Sequence, residues 1–134
     1  MVEIKIYQHA DLVKLTYADA SYNRAHAPKY KGKAKTKVRK IYNYCMATRY
    51  KIHVKSAKDV FQYRQGDCAA ISEAFYVMCK KNKIPVRYVI GWCDGECHAW
   101  NRVKIGKKWY WIDATLGDWL SRELYEDRTV LEIW

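Results

Sequence analysis

The hydrophobic pattern of this chain changes its period at Pro85, and this change restricts the fold more than any other feature. Before Pro85, residues 68–81 carry apolar side chains at helical spacing, namely Ile71, Ala74, Phe75 and Met78. After Pro85 the pattern alternates with a period of two and predicts three strands, over 86–92, 98–105 and 108–114. Helices followed by a run of antiparallel strands indicate an α+β fold.

The flanking residues mark both ends of the predicted helix over 68–81. Asp67 is a residue type that caps a helix by accepting hydrogen bonds from N–H groups of the first turn. Asn82 is able to adopt the left-handed conformation that stops a helix, and Pro85 prevents its continuation. The helix is therefore predicted to begin with Cys68.

A cysteine at a helix start has two interpretations. In the structural one, a small side chain simply packs well there. In the functional one, the N–H groups and the positive end of the helix dipole favour thiolate over thiol and could hold an oxyanion. A thiolate nucleophile needs a base, and the base needs an orienting group. The functional interpretation of Cys68 therefore requires two further residues elsewhere in the chain.

The second and third predicted strands supply such a pair if residues 106–107, Gly-Lys, form a two-residue turn. Counted back from that turn, His98 faces Thr115, and Asp113 faces Trp100. Asp113 is then diagonal to His98 on one face of the hairpin, within reach of its side chain. Taken singly, a half-buried histidine and a carboxylate that caps a turn remain structural alternatives, and Trp100 is either packed under the histidine or plain core.

Three motifs in this order resemble the transglutaminase-like superfamily of cysteine acyl-transfer enzymes and proteases. They are "GDCAAISEAFYVMCKKNKIPVRYVIG", "HAWNRV" and "KKWYWIDATLGD", within residues 64–118. The resemblance implies a single transglutaminase-like, papain-like α+β domain over 1–134, with the Cys68 helix packed on a small antiparallel sheet. It also implies that Cys68 is the nucleophile, His98 its base and Asp113 the orienter.

The chain departs from the family pattern at two places. The usual glycine before Ile-Pro is Lys83 here, and we expect Asn82 to take over the unusual backbone angle. The region upstream of residue 64, where the family's second oxyanion donor lies, matches poorly. Tyr50 and Gln62 are candidates for that donor on their chemistry alone.

The resemblance implies a cysteine hydrolase or acyltransferase that acts on amide bonds of peptides or proteins through a thioester. The small size of the chain favours water as the acyl acceptor. The alternatives are a transglutaminase that cross-links protein glutamine to amines, and a non-catalytic basic binding or scaffold module on the same fold. We expect no cofactor and no metal, because the sequence lacks the acidic clusters of calcium-dependent members.

The chain is strongly basic, with a formal net charge of +11. Residues 28–40, "PKYKGKAKTKVRK", contain no acidic residue. This segment either binds phosphates, nucleic acid or acidic proteins, or is a solvated surface. Because no nucleic-acid-binding motif accompanies it, we expect a peptide or protein substrate, for which acidic character is one option, and no specific nucleic acid.

The five cysteines cannot all pair within one chain. Charges are scattered through "MVEIKIYQHADLVKL", and no apolar run approaches the roughly 20 residues of a membrane span, so we expect no membrane partner and a reducing cytoplasm. Cys45 and Cys79 are expected to be buried in the hydrophobic core. For Cys93 and Cys97 we expect free thiols, with a disulfide or metal binding together with His98 as alternatives.

The remaining secondary-structure predictions concern the first half of the chain. They are a strand over 3–7, a helix over 10–25, a helix from about residue 36 to Tyr50, and a short helical turn followed by a loop over 55–66. The helix that ends near Tyr50 is expected to bury Val38, Ile41, Tyr42, Cys45 and Met46.

Overall fold

The computed structural model describes residues 19–120 and 128–133. The strand predicted over 3–7 lies outside these residues, as does most of the helix predicted over 10–25. The helices are α1 (Ala20–His26), α2 (Ala34–Met46), α3 (Ala57–Tyr63) and α4 (Cys68–Lys81). The strands are β1 (Arg49–Tyr50), β2 (Gln65–Gly66), β3 (Val86–Cys93), β4 (Glu96–Ile105), β5 (Lys108–Asp113), β6 (Asp118–Leu120) and β7 (Arg128–Ile133).

The main sheet has the strand order β6-β5-β4-β3-β7, and all its neighbours are antiparallel. Its three central strands are those that the alternating pattern predicts. Between β4 and β5, Ile105 pairs with Lys108, and Gly106 has the positive φ of 65° that this two-residue turn requires. The predicted register of the hairpin is therefore confirmed.

Helix α4 packs on this sheet and also contacts α2 and α3. It begins at Cys68, as predicted, and its four-residue apolar stripe is buried among side chains of the other helices and of β3 to β5. This arrangement is an α+β architecture, as expected from the sequence, with the helix that carries Cys68 lying on an antiparallel sheet.

The C-terminal end of α4 differs from the prediction. Asn82 has φ −91° and ψ 8°, and the left-handed conformation falls on Lys83, with φ 60°. The Asn82 side chain instead holds the loop between α1 and α2 against the end of α4. Its amide donates to the carbonyls of Pro28 and Met78, and its oxygen accepts from the N–H of Tyr30. Lys83 therefore keeps the angle that glycine usually supplies.

Helix α2 ends at Met46 rather than near Tyr50, and Met46 is exposed rather than buried. Residues 49–50, predicted to end the helix, instead form β1. This strand pairs in parallel with β2, which lies inside the segment over 55–66 that was predicted to end in a loop. The close approach of β2 to α4 explains the glycine at position 66, because a Cβ on Gly66 would lie 2.6 Å from the Cβ of Ala70. This small sheet places Tyr50 next to the start of α4.

The face of the main sheet that points away from α4 is aromatic. Val89, Trp100 and Trp111 form a buried cluster there. A Cβ on Gly91 would lie 2.1 Å from the carbonyl oxygen of Thr129, so glycine allows the close approach of β7, which pairs with β3 at the edge of the sheet. Arg128, the first residue of β7, thereby reaches Asp118, which follows β5 in the chain.

Candidate active site

Cys68 is the first residue of α4, and its environment is that of a helix N-terminus. The Asp67 side chain accepts from the N–H groups of Ala69 and Ala70, at 3.0 and 3.1 Å, and its carbonyl accepts from that of Ile71. Asp67 thus engages every N–H of the first turn except that of Cys68. The Cys68 N–H is therefore the donor that this cap leaves for a ligand.

His98 and Asp113 lie where the hairpin register predicts. The imidazole Nε2 of His98 is 2.7 Å from Oδ2 of Asp113. Cys68 lies on the other side of this imidazole, near enough to raise the pKa of His98. The ring of Trp100 stacks on the imidazole, with 5.8 Å between centroids. One imidazole thus links the thiol at the start of α4 to the carboxylate at the end of β5.

The charge state of His98 follows from these contacts. Burial by itself lowers the pKa of His98, but the hydrogen bonds and negative charges of Asp113 and Cys68 together raise it by more, from 6.5 to about 9. At neutral pH the ring of His98 therefore holds its proton, beside the carboxylate of Asp113. A protonated imidazole beside a cysteine is able to give a proton to a leaving group.

The carboxylate of Asp113 is fully buried and well supplied with donors. Its Oδ1 accepts from the N–H of Leu116 at 3.1 Å. Its Oδ2 faces both His98 and Nη1 of Arg128, each at 2.7 Å. Arg128 was not among the predicted site residues. It comes from β7, whose sequence carries no motif, so no signal in the sequence connected it to Asp113.

An open cleft in two parts surrounds His98. The first part, the thiol arm, has a volume of about 240 Å³ and is lined by Tyr50, Ile52, His53, Lys55, Asp67, Cys68, Glu96, Cys97 and His98. The second, the hairpin arm, has a volume of about 420 Å³ and is lined by Tyr50, Cys93, Asp94, Glu96, Cys97, His98, Thr115 and Leu116. The two arms share Tyr50, Glu96, Cys97 and His98 as lining residues, so they lie on either side of these side chains.

The two candidate oxyanion donors are placed differently. Tyr50 lines both arms of the cleft. Burial and the neighbouring Cys68 and Asp67 raise the pKa of Tyr50, so its hydroxyl remains a donor over a wide pH range. Gln62 is exposed on α3 and does not appear among the described residues that line either arm. Val60 and Ala57 take the buried side of that helix, which turns Gln62 outward.

The other cysteines differ from Cys68 in their surroundings. Cys93 pairs with Glu96 across the β3–β4 hairpin and Cys97 with Trp92, so the two cysteines point to opposite faces of the sheet. All five thiols are free of disulfides. Burial raises the pKa of Cys45 to about 12 and that of Cys79 well above its ordinary value. Burial, followed by the nearby Cys68, also raises the pKa of Cys97.

Membrane-spanning helices are not found in the part of the chain described here, since none of its helices is long and apolar enough.

Solved structures with a similar fold have low sequence identity to this chain. A TGase structure has 18% identity and a TM-score of 0.56, and the match covers 85% of this chain and 35% of that one. A candidate cysteine protease from Cytophaga hutchinsonii has 17% identity and a TM-score of 0.58, covering 100% and 57%. Calcium-bound LapG from Legionella pneumophila has 15% identity and a TM-score of 0.66, covering 96% and 77%.

These structures share the fold of this chain, which spans only about a third to a little over half of the first two. No curated protein matches the sequence. The family model of the transglutaminase-like superfamily matches residues 18–114, well over half of the chain. That span includes the start of α4 and the hairpin of β4 and β5. The chain belongs to the transglutaminase-like superfamily.

Proposed function

We propose that this protein is a thiol-dependent hydrolase or acyltransferase that acts on amide bonds of peptides or proteins. The observation that carries the proposal is a single imidazole, that of His98, which lies 2.7 Å from the buried carboxylate of Asp113 and whose pKa is also raised by the helix-start Cys68. Nucleophile, base and orienter are thereby joined in one chain of contacts at the wall of an open cleft.

The proposed reaction has two steps. The Cys68 thiolate attacks the carbonyl carbon of the amide, and the C–N bond breaks as His98 gives its proton to the leaving nitrogen. The products are a free amine and a thioester on Cys68. Water then loses a proton to His98 and attacks the thioester, and the C–S bond breaks to release the acid and restore the thiolate. Asp113 stays ionised and holds the imidazole in place throughout.

The oxyanion that forms in each step needs donors beside Cys68. The N–H of Cys68 is available, because the Asp67 cap engages the three N–H groups after it. Tyr50, which lines both arms and keeps a protonated hydroxyl, is the second donor that we propose. Gln62 is not proposed for this role.

A polypeptide substrate suits the shape of the cleft. The two arms are open and adjacent at His98, and an extended chain that crosses this residue could contact both. The exposed apolar side chains of Tyr50, Ile52 and Leu116 line these arms, with 56%, 66% and 55% of their surfaces exposed. Exposed apolar surface around a cleft favours binding of apolar side chains. The proposed substrate is thus a peptide or protein segment with apolar residues near the reacting amide.

The test of this proposal compares the labelling rates of the five cysteines at about pH 6, with a peptide-like electrophile and with iodoacetamide. We expect Cys68 to be labelled first, because a helix N-terminus and an imidazolium favour its thiolate. Cys45 and Cys79 should remain unlabelled in the folded protein, because they are buried and their pKa values are raised. Peptide mapping by mass spectrometry identifies the labelled residue.

Three variants complete the experiment. His98→Ala should slow the labelling of Cys68 strongly, and Asp113→Asn should slow it less, because it disturbs the orienter and not the base. Cys79→Ala is the control, since it removes a buried thiol that lines neither arm of the cleft and should leave the labelling of Cys68 unchanged. Preferential labelling of Cys93 or Cys97, with Cys68 silent, would contradict the proposal.

The acyl acceptor is decided by a second measurement. Incubation of the protein with a glutamine-containing peptide library and a tagged primary amine distinguishes three products. New peptide termini indicate hydrolysis of peptide bonds, glutamate in place of glutamine indicates deamidation, and tag incorporation indicates transfer to the amine. Hydrolysis is the outcome that we expect. If no library peptide is changed in a way that depends on Cys68, the result would favour the non-catalytic binding module instead.

A further inference from the structure

Arg128 is a buried arginine that bridges two carboxylates. Its Nη1 donates to Oδ2 of Asp113 at 2.7 Å, and its Nη2 donates to Oδ2 of Asp118 at 3.0 Å. Only 1% of the side chain is exposed, whereas the Asp118 side chain is 43% exposed. The guanidinium is therefore anchored at the surface by one carboxylate and directed inward onto the other.

The inner contact involves the same oxygen that His98 uses. Oδ2 of Asp113 lies 2.7 Å from the His98 imidazole and 2.7 Å from the Arg128 guanidinium. The guanidinium also lies 5.1 Å from the centre of the Trp100 ring, which stacks on His98 from the same face of the sheet. Arg128 thus contacts both of the side chains that fix the position of the imidazole.

A permanent cation has a specific use at this oxygen. A buried carboxylate is costly unless it is paired with a positive charge. In the proposed reaction, His98 gives up its proton to the leaving nitrogen and becomes neutral. Asp113 would then be left buried without a cationic partner. Arginine does not lose its proton in proteins, so Arg128 supplies the pairing throughout the cycle.

We propose that Arg128 is a positioning residue that keeps the Asp113 carboxylate ionised and directed at His98 while the imidazole changes its charge. The proposal rests on the function proposed above, because it assigns Arg128 to the same reaction. It predicts that the charge of Arg128, and not only its packing, sets the pH range over which Cys68 and His98 react.

Several charged or titratable groups face this carboxylate. They are His98 from β4, Arg128 from β7, Asp118 from β6, Tyr42 from α2 and, through His98, Cys68 from α4. Of the cations among them, His98 titrates in the range of interest and Arg128 does not. Removal of Arg128 makes the site more negative. The protons that bind to the coupled residues Cys68, His98 and Asp113 should therefore be held more tightly.

The experiment measures two properties of the whole chain, the titration of His98 by NMR and the pH profile of Cys68 alkylation. In Arg128→Met and Arg128→Gln we expect both the His98 titration and the acid limb of alkylation to move to higher pH, by about one unit. Arg128→Lys keeps the charge and should restore both midpoints to within a few tenths of a unit of the wild type.

The matched control is Arg102→Met. Arg102 also lies over tryptophans of the sheet, 5.0 Å from the centre of the Trp111 ring and 5.3 Å from that of Trp109, but makes no contact with Asp113 among the interactions that the structure describes. Its loss removes a cation and an aromatic contact at another site, so both midpoints should stay in place.

The outcomes are separable. Midpoints that stay in place in a folded, neutral Arg128 variant would overturn the proposal. So would failure of both neutral variants to fold while Arg102→Met folds, because Arg128 would then serve the fold alone. If Cys68 of the wild type is not labelled preferentially, the proposed function fails. The His98 titration still reports in that case whether Arg128 acts on the Asp113–His98 pair.

Discussion

At the scale of single residues, the raised pKa of His98 distinguishes the amide cleavage proposed for Cys68 from simple alkylation of its thiol. Cleavage of an amide needs the imidazolium to protonate the leaving nitrogen, whereas alkylation needs only the thiolate. With a His98 pKa of about 9, we expect amide turnover to fall above that pH by about tenfold per unit. Alkylation by iodoacetamide should not fall over the same range.

Parallel measurements of the two rates from about pH 6 to 10.5 test this expectation. A parallel loss of both rates above the pKa would contradict it and would point instead to unfolding. The same shift bears on stability, because the folded state binds the His98 proton more tightly than the unfolded chain. That contribution is complete below pH 6.5 and is lost as the pH rises through about 9.

The residues of the site were predictable where a local rule places them. A helix start places Cys68, and a two-residue turn sets the register that brings Asp113 to His98. Arg128 follows no local rule, because it reaches Asp113 through the pairing of β7 with β3, on the far side of the hairpin. Gln62 was a suggestion from chemistry alone, and the rotation of α3 directs it to solvent.

At the scale of secondary-structure elements, Lys83 carries a strained connection between α4 and β3. Its φ of 60° is costly for any residue with a Cβ. Lys83→Gly should therefore stabilise the protein by about 0.5–1 kcal/mol, the steric relief exceeding the added entropy of the unfolded chain. Urea unfolding followed by circular dichroism measures the change in the free energy of unfolding.

Lys80→Gly is the control for this substitution. Lys80 is exposed in the last turn of α4, where glycine should instead cost about 1 kcal/mol. Equal effects of the two substitutions would show that the backbone angle at Lys83 is not the cause. The two substitutions also test the finding that the left-handed conformation lies at Lys83 and not at Asn82.

Long elements with a clear period were predictable, and short edge elements were not. Helix α4 and strands β3 to β5 have patterns that few alternatives fit. Strands β1 and β2 have two residues each and β6 has three, too few to show any alternation. They exist because tertiary contacts place their backbones side by side, as Tyr50 and Gly66 are placed by the start of α4.

At the scale of the whole molecule, the excess positive charge lies on a solvated surface beside α2. Lys31, Lys33, Lys35, Arg39 and Lys40 are all exposed there. We expect this surface to bind polyanions only non-specifically. Binding of duplex DNA should then fall by a factor of about 10³–10⁵ between about 50 and 200 mM salt if 6–10 phosphates are neutralised.

Fluorescence anisotropy with DNA duplexes of unrelated sequence tests this expectation. A variant with Lys31, Lys33 and Lys35 replaced by glutamate should lose most of the binding, and glutamate in place of Lys107 and Lys108, at the distant β4–β5 turn, is the control. Tight binding to one sequence that survives about 150 mM salt would favour the nucleic-acid-binding alternative.

The antiparallel pairing of β7 with β3 also sets the order in which the site is completed during synthesis. Ribosomes make a chain from its N-terminal side toward its C-terminal side, so Cys68, His98 and Asp113 leave the exit tunnel before residues 128–133 do. Until β7 adds to the edge of β3, Asp113 has no arginine beside it. A nascent chain that has emerged only as far as β6 would therefore hold its three proposed reactive residues without the cation that we propose to pair with the buried carboxylate.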